Sequence, residues 1–482
     1  MERRIDFILY STCFITLTNT SFAGERFSNN KRPNVILINT DDLAWGDLSC
    51  YGGKLIKTPN IDRLASEGIR FTDGYVSAPV SGVSRTGLLT GVYQQRYGMQ
   101  WNHDQWIKDK KMIPESDKQI QTAFKEAGYI TAMAGKIGIK DDQPFDKYYS
   151  FTFNGANYFP DENGVYAGVD EKITGKKIPT DRNYKWGPER NGDEYLTDRC
   201  GRQCIEFIEE NKNSSKPFFF YLSFNAPHSP YHAKKSDRNR VKNIESEMAK
   251  LYYAMVLSVD DNVGRILDYL DKEGLRENTI IVFLSDNGPA NPIHLRIPTD
   301  WDKSSPYHIM GQRGGLNGYK GTMWEAGIRI PFIMSWKGSL QEGVTYSHPV
   351  STLDLYPTIC AATFTKIPEN KKLDGVNLLP YLKGGYDEEP HKYLFWYANR
   401  MGAVRMGKWK MLIEDDKHYL FDLDKDKGET DNVMMKNKEI MLEMLDAYFR
   451  FRNEMPAYRN PFVRPIDIPD DAVKELPTLD PK

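Results

Sequence analysis

The sequence NVILIN at residues 34–39 decides the fold, and the pair Asp41-Asp42 follows it closely. Its four central residues are apolar, which is typical of a strand buried on both faces. Similar runs occur at residues 218–224, 279–284 and 330–336, and helical patterns lie between them. Strands that alternate with helices predict an α/β fold, with a mostly parallel central sheet sandwiched by helices.

The pattern changes after about residue 385. Four short strand-like runs, at 393–397, 403–405, 409–413 and 419–422, predict a small antiparallel sheet, and a helix is expected from 438 to 453. We therefore predict a catalytic α/β domain at 24–385 and a C-terminal subdomain at 386–482. Residues 140–195 are rich in Tyr, Asn, Gly and Asp, which predicts long surface loops.

The first 23 residues have the features of a signal peptide. Two arginines precede an apolar run that is too short to span a bilayer, and Ser21-Phe22-Ala23 resembles a cleavage site. This predicts a periplasmic or secreted protein with no membrane span in the mature chain. The formal net charge is -2, which does not favour nucleic acid as a partner. The five cysteines do not form a disulfide framework or a zinc pattern.

Polar side chains follow the predicted strands. Asp41 and Asp42 follow the first strand, and Asp286 and Asn287 follow the run at 279–284. Ligands of open α/β sheets bind at the carboxyl ends of strands, and neighbouring carboxylates there repel each other unless a cation lies between them. Oxygen ligands without sulfur suit Ca²⁺ or Mg²⁺ rather than zinc, and ligand type alone does not decide between the two; the expected cofactor is Ca²⁺, with Mg²⁺ as the alternative. Each motif alone is equally compatible with a solvated turn.

A second element runs from Ser81 to Gly91. Small residues lead into a helix whose first turn is expected near Ser84, and Arg85 lies one turn after Ser81. Helix N-termini attract anions because their first amides are unpaired. From the local sequence alone, an ordinary helix cap with a surface arginine is the better interpretation.

The motifs together resemble the sulfatase family of the alkaline-phosphatase superfamily. The resemblance begins with RPNVILINTDDLAWGDLSCYGG and includes the activation signature at 81–91, whose first residue is Cys or Ser in the family. It continues through the motifs at 128–136, 226–230, 285–288 and 320–331, and the closing segment at 420–432, in the family's order. It implies a sulfatase-like fold for nearly the whole mature chain.

The resemblance also implies roles for individual residues. Ser81 is expected to be oxidised to formylglycine by a radical-SAM maturase, and its hydrate to attack sulfur beside the cation. The metal ligands implied are Asp41, Asp42, Ser81, Asp286 and Asn287. Besides Ser81, the resemblance implies four catalytic residues. Arg85 is expected to hold the hydrate, and Lys136 and Lys320 are expected to bind sulfate oxygens. His228 is expected to protonate the leaving oxygen.

Two positions depart from the family pattern. Val83 stands where the family usually has Pro or Ala, and Gly138 stands where it usually has His. His103 is a hypothetical substitute for that histidine. His103 and His232 are both weak candidates for substrate binding.

The predicted substrate is a sulfated saccharide or a polysaccharide of the glycosaminoglycan type. Two alternatives remain open at the level of sequence. One is a phosphoester or phosphonate hydrolase of the same superfamily, and the other is a non-catalytic protein that binds sulfated glycans.

Overall fold

The computed structural model describes residues 31–106, 111–140, 143–152, 155–160, 166, 169, 194–290, 311–386, 388–398 and 400–456. The predicted signal peptide and most of the predicted loops at 140–195 lie outside these residues. The strands, in chain order, are β1 (Asn34–Thr40), β2 (Ile69–Phe71), β3 (Gly74–Tyr75), β4 (Ile130–Lys136), β5 (Lys147–Thr152), β6 (Phe218–Ser223), β7 (Thr279–Ser285), β8 (Phe332–Ser335), β9 (Val344–Tyr346), β10 (Val350–Ser351), β11 (Leu394–Ala398), β12 (Met401–Met406), β13 (Trp409–Glu414) and β14 (Lys417–Asp422). The helices are α1 (Pro59–Ser66), α2 (Ser81–Thr90), α3 (Ile120–Glu126), α4 (Leu196–Asn211), α5 (Lys235–Arg240), α6 (Glu247–Lys272), α7 (Glu325–Ile328), α8 (Leu355–Ala362), α9 (Leu379–Leu382) and α10 (Lys438–Glu454).

Within the described residues, the central sheet has eight strands in the order β5-β4-β6-β1-β7-β8-β2-β9. All neighbours are parallel except that β8 runs antiparallel to both β7 and β2. The predicted mostly parallel α/β sheet is therefore confirmed, with β8 as its one reversed strand.

Both faces of β1 are buried, as its sequence predicts. Val35 and Leu37 pack into one core with α2, α3 and α8, whereas Ile36 and Ile38 pack into a second core with α1, α4 and α6. Alternate side chains of a strand point to opposite faces, so one continuous apolar run supplies both cores. Helices accordingly cover the sheet on both sides.

The expectation of loops throughout 140–195 is wrong at residues 147–152. These residues form β5, which pairs with β4 at the edge of the sheet. Their sequence KYYSFT mixes polar and aromatic residues, because an edge strand is only partly covered. Its exposed and half-buried first residues explain why no continuous apolar run marks it.

The C-terminal antiparallel sheet is confirmed. Strands β11 to β14 pair in sequential order, and α10 packs on them through Met441, Met444 and Leu445. The predicted boundary at residue 385 lies just before this sheet and stays a prediction.

Candidate active site

Two pairs of polar residues meet at the carboxyl end of the central sheet. Thr40 of β1 lies opposite Ser285 of β7 in parallel register, so Asp41 and Asp42 emerge beside Asp286 and Asn287. The Asn287 side-chain amide donates to Asp42 Oδ1 at 2.7 Å, and the Asp42 amide donates to Asp286 Oδ1 at 3.3 Å. All four side chains are buried. The structure thus brings together the predicted oxygen ligands.

Ser81 is the first residue of α2, three residues before the predicted start of the helix. Its hydroxyl lies 3.1 Å from Asp41 Oδ1 and 3.0 Å from Asn287 Oδ1. Only 2% of Ser81 is exposed. The head of α2 therefore presents residue 81 directly to the carboxylate cluster.

Arg85 lies one helical turn after Ser81 and is fully buried. Its Nε and Nη2 atoms each lie 2.8 Å from Asp286 Oδ2, and its Nη1 donates to the Lys136 carbonyl at 2.9 Å. Burial disfavours the guanidinium charge, but Asp286 and other neighbouring groups outweigh it and raise the pKa of Arg85. Arg85 is thus a buried cation that ties α2 to two strand ends, and not a surface arginine.

Two lysines pair with the two aspartates that follow β1. Lys136, the last residue of β4, forms an ion pair with Asp41 Oδ2, and Lys320 Nζ lies 2.6 Å from Asp42 Oδ1. The backbone amide of Lys320 also donates to the Pro289 carbonyl at 2.8 Å. This hydrogen bond fixes the loop that carries Lys320 beside Asn287. Sequence patterns alone would make both lysines surface residues, so their convergence is a finding of the structure.

His228 follows β6 and faces the same cluster. Its Nε2 lies 3.7 Å from Asp42 Oδ2, and its Nδ1 lies 2.5 Å from the Ser229 carbonyl oxygen. A carbonyl only accepts hydrogen bonds, so Nδ1 carries a proton. Tyr158 donates to the His228 carbonyl at 2.8 Å and fixes this turn from the other side. The imidazole is 21% exposed, which leaves Nε2 near an open edge of the cluster.

The electrostatics of the cluster are uneven. Burial would raise the pKa of Asp41, but Lys136, His228, Arg85 and Lys320 outweigh it and hold that pKa well below its usual range. Burial, together with the Asp41 charge, raises the pKa of Asp286 to about 6. Burial also lowers the pKa of His228, against the opposing effect of Asp41 and Asp42. The site thus combines a strongly acidic carboxyl, a weakly acidic one and an imidazole that favours its neutral form.

A cation would fit this cluster. Ligand atoms of Asp41, Asp42 and His228 all lie within 4.8 Å of one another, and Asp42 Oδ2 is buried without a hydrogen-bond partner. An unpaired buried carboxylate oxygen is costly, and a metal ion would satisfy it. Calcium and magnesium prefer oxygen, so the carboxylates and Asn287 suit them better than His228 does.

The structure does not bring His103 or His232 to the cluster. The His103 side chain is 57% exposed, and its Nε2 lies 3.6 Å from Asp104. His232 is buried and packs edge-on against Tyr158, and burial lowers the pKa of His232 to about 3. His103 remains accessible to a substrate, whereas the burial of His232 gives the prediction of sugar binding there no support.

Both departures from the family pattern lie close to the cluster. Val83 is fully buried in the core under α2. Gly138 has a φ of +68°, and a Cβ there would lie 3.1 Å from Arg85 Cδ. A side chain at residue 138 would therefore be both strained and crowded.

Sequence reasoning missed two further partners of Arg85. Its Nη1 donates to the Tyr221 hydroxyl at 3.2 Å and also contacts the Ser223 hydroxyl. Both residues belong to β6, where they break an otherwise apolar run at alternate positions. Polar atoms on one face of a buried strand need partners, and that signal could have identified them.

Comparison with known proteins identifies the family. The sequence profile described as Sulfatase matches residues 33–364, which is more than half of the chain. The chain belongs to the sulfatase family. A second profile, N-sulphoglucosamine sulphohydrolase, C-terminal, matches residues 317–452. The chain is 32% identical to the uncharacterized sulfatase YdeN of Escherichia coli (80% of this chain, 72% of YdeN). It is 29% identical to the N-acetylgalactosamine-6-sulfatase of Rattus norvegicus (78% of this chain, 71% of that one).

Solved structures agree with this assignment. Ps i-CgsB in complex with k-i-k-neocarrahexaose is 33% identical, with a TM-score of 0.75 over 89% of this chain and 94% of that one. The phosphonate monoester hydrolase of Agrobacterium radiobacter is 19% identical, with a TM-score of 0.63 over 88% of this chain and 95% of that one, and this likeness shows a shared fold alone. Family membership therefore makes the protein a sulfuric ester hydrolase. Among the described residues, no helix has the length and apolar composition needed to cross a membrane.

Proposed function

We propose that the protein hydrolyses sulfate esters of a sulfated saccharide, with residue 81 in the formylglycine form and a divalent cation, Ca²⁺ or Mg²⁺, bound beside it. The observation that carries the proposal is the position of Ser81. Its hydroxyl faces Asp41 and Asn287, with Lys136 and Lys320 bound to the two aspartates and His228 at the open edge.

The hydrogen bonds at Ser81 support the formylglycine form. The Asn287 amide nitrogen donates to Asp42 Oδ1 and to the Gly288 carbonyl, which leaves Asn287 Oδ1 facing Ser81 as an acceptor. Asp41 Oδ1 is the second acceptor, but a serine hydroxyl has a single proton to donate. A hydrated aldehyde has two hydroxyl groups, one to attack sulfur and one to expel the bound sulfate afterwards.

The cation would be held by Asp41, Asp42, Asp286 and Asn287 beside residue 81, and it would polarise the sulfate group. In the protein alone, Lys136 and Lys320 supply the positive charge that the paired aspartates need. With a cation bound, these ammonium groups would be available to bind sulfate oxygens as point charges. Arg85 would keep the head of α2 aligned with Asp286.

His228 would deliver a proton to the leaving oxygen. Its Nδ1 proton is directed to the Ser229 carbonyl, so Nε2 can donate a proton only when the imidazole is protonated. The sugar hydroxyl is a poor leaving group without that proton. We expect His228→Asn to lower turnover of a sugar sulfate by about 10²–10⁴-fold. Turnover of an aryl sulfate with an acidic phenol should fall much less, and an equal loss on both substrates would contradict the role.

The substrate class rests on two supports. Ps i-CgsB, at 33% identity, has been solved with an oligosaccharide, k-i-k-neocarrahexaose. The N-terminal sequence also has the features of a signal peptide, which fits a periplasmic or secreted enzyme that meets polysaccharides. A radical-SAM maturase is the proposed partner that would modify Ser81.

The first test is mass spectrometry of the tryptic peptide that spans residues 71–85, from protein expressed with an anaerobic-type maturase. We expect a loss of two hydrogen atoms at Ser81, followed by turnover of an aryl sulfate but not of the matching aryl phosphate. An intact serine would mean that the maturase rejects Val83. Preferred turnover of the phosphate would favour a phosphoester or phosphonate hydrolase, and glycan binding without turnover would favour a binding protein.

Cation binding is tested separately from activity. We expect Ca²⁺ or Mg²⁺ to raise the Tm of chelator-dialysed protein, since a ligand that binds only the folded state stabilises it. Asp42→Asn should remove this increase, whereas Asp268→Asn, at a carboxylate whose side chain is 73% exposed, should keep it. An increase that persists in Asp42→Asn would place the ion elsewhere.

A further inference from the structure

The head of α2 lacks a local cap. Val80 precedes the helix in an extended conformation and offers no side-chain hydrogen bond. The first amides of a helix have no partners within the helix, so they need partners from outside. The Gly82 amide finds one 20 residues further along the chain, where it donates to Asn102 Oδ1 at 2.8 Å.

Gln105 links the start of α2 to the segment that follows β4. Its side-chain nitrogen donates to the Gly138 carbonyl at 3.2 Å, and its side-chain oxygen accepts from the Lys140 amide at 2.9 Å. Gln105 is 4% exposed. Both ends of this buried amide are therefore satisfied by the backbone just after Lys136.

Gly82 explains how closely these parts approach each other. A Cβ at residue 82 would lie 2.3 Å from Gln105 Nε2 and 2.7 Å from the Gly138 carbonyl oxygen. Any larger residue would push the head of α2 away from the segment after β4. The short helix Asn102–Trp106 thus holds these two elements together.

We infer that Asn102 and Gln105 are positioning residues that set the distance between residue 81 and Lys136. Ser81 and Lys136 both contact Asp41, because Ser81 Oγ lies against Asp41 Oδ1 and Lys136 Nζ lies against Asp41 Oδ2. Asn102 fixes the amide next to residue 81, and Gln105 fixes the backbone two and four residues after Lys136. This inference rests on the proposed function for its effect on catalysis.

The test compares Asn102→Leu, Asn102→Asp and Gln105→Met with the wild type, after correction for the modified fraction at residue 81. Leucine removes the acceptor at nearly constant size, whereas aspartate keeps it. We expect Asn102→Leu and Gln105→Met to lower kcat by about 10–100-fold with a smaller change in KM, because small misplacements of reacting groups are costly. Asn102→Asp should restore most of the loss.

The matched control is Asn432→Leu in the C-terminal subdomain. Asn432 Oδ1 also accepts backbone hydrogen bonds, from Leu420 and Met434 at 3.0 and 3.1 Å. The same substitution there should leave kcat unchanged. A similar loss of kcat in Asn432→Leu, or no loss in Asn102→Leu and Gln105→Met, would overturn the inference.

Hydrogen exchange gives a measure that does not depend on turnover. Amides at the start of α2 should exchange faster in Asn102→Leu than in the wild type, and near the wild-type rate in Asn102→Asp. If the wild type fails to cleave sulfate esters, the proposed function fails, but this measurement still decides the structural link. Unchanged exchange at Gly82 in Asn102→Leu would refute that link.

Discussion

The segment 320–329 joins two groups of buried charges that have equal numbers of acidic and basic side chains. The cluster at residue 81 has three carboxylates and three cations, namely Asp41, Asp42, Asp286, Arg85, Lys136 and Lys320. The second group, here called the Lys410 cluster, also has three of each, namely Asp73, Glu325, Glu429, Arg329, Arg405 and Lys410. The two groups differ in access to solvent.

In the Lys410 cluster the most exposed side chain is that of Asp73, at 12%, and the central side chains are fully buried. Lys410 lies 3.0 Å from Glu325 and 2.7 Å from Glu429, and all three side chains have no exposure. In the cluster at residue 81, Lys320 and His228 keep 19% and 21% of their side chains exposed. Paired buried charges therefore do not by themselves mark a site, and the two clusters differ in how far their outermost side chains are exposed to solvent.

The pKa values of the carboxyl groups also fail to distinguish the two clusters. Burial raises the pKa of Glu429 to about 7 and that of Asp286 to about 6. Burial works against the charge of Glu325 too, but Lys410, Arg329 and Arg405 outweigh it and lower its pKa to about 2. Both clusters thus contain one strong and one weak acid, so a perturbed pKa alone would not tell a structural network from an active site.

The largest expected effect is that of Ser81→Ala. Removing the residue that we propose as the precursor of the nucleophile should lower turnover by about 10⁴-fold or more. The free energy of unfolding should change by only about 1 kcal/mol, since one hydrogen-bonding hydroxyl is lost. Steady-state kinetics and chemical denaturation measure the two quantities, and residual turnover within tenfold of the wild type would refute the role of residue 81.

Lys410→Met should have the opposite effects, with a large loss of stability and little change in turnover. Methionine fills the space but leaves Glu325 and Glu429 buried without their shared cation, so the free energy of unfolding should fall by about 3–5 kcal/mol. Turnover per folded molecule, measured below the unfolding transition, should stay close to that of the wild type. A stable variant with lost turnover would mean that the Lys410 cluster acts directly on the site.

Lys320→Met is the matched substitution in the cluster at residue 81. We expect turnover to fall by about 10²–10³-fold, because one of the two ammonium groups that we propose bind sulfate oxygens is lost. The destabilisation should be smaller than in Lys410→Met, since the side chain of Lys320 is partly exposed. Equal destabilisation by the two substitutions would remove the distinction between the two clusters.

The smallest effect concerns pH and Glu429. Its pKa is raised in the folded protein, so the folded state holds a proton that the unfolded chain releases near its ordinary pKa. The contribution of this group to stability is therefore present at low pH and lost as pH rises towards about 7. Glu429→Gln keeps a neutral side chain, so its stability relative to wild type should rise between about pH 5 and 7. Denaturation at several pH values measures this, with Glu439→Gln, at an exposed glutamate, as the control.

The long elements of the fold were predictable because each has a clear pattern. Apolar runs such as 34–39 and 279–284 marked the buried strands, and a helical pattern at 245–273 marked α6, which the structure places at Glu247–Lys272. The reversed direction of β8 was not predictable, since a strand's direction depends on where its connections lead and not on its own residues. Edge strand β5 was missed because its partial exposure removes the apolar run.

For the candidate site, the strand-end residues Asp41 and Asp286 were predictable from their shared position after two buried strands, although either motif alone was equally compatible with a solvated turn. Lys136, Lys320 and His228 depended on the resemblance to a family, since a lone lysine or histidine gives no local signal. Contacts between distant segments, such as Asn102 with Gly82, or Lys410 with Glu325, left no trace in the sequence. They follow from the packing of elements whose order in space a single sequence does not state.

The burial of Ser81 has a consequence for the order of events during biosynthesis. Its side chain is enclosed at the head of a helix whose ten residues are all buried. The maturase proposed for this side chain would need the helix unpacked, so we expect it to act on the nascent or unfolded chain, before the domain closes. Folded protein recovered from a host without that enzyme would then stay unmodified, however much maturase were added later.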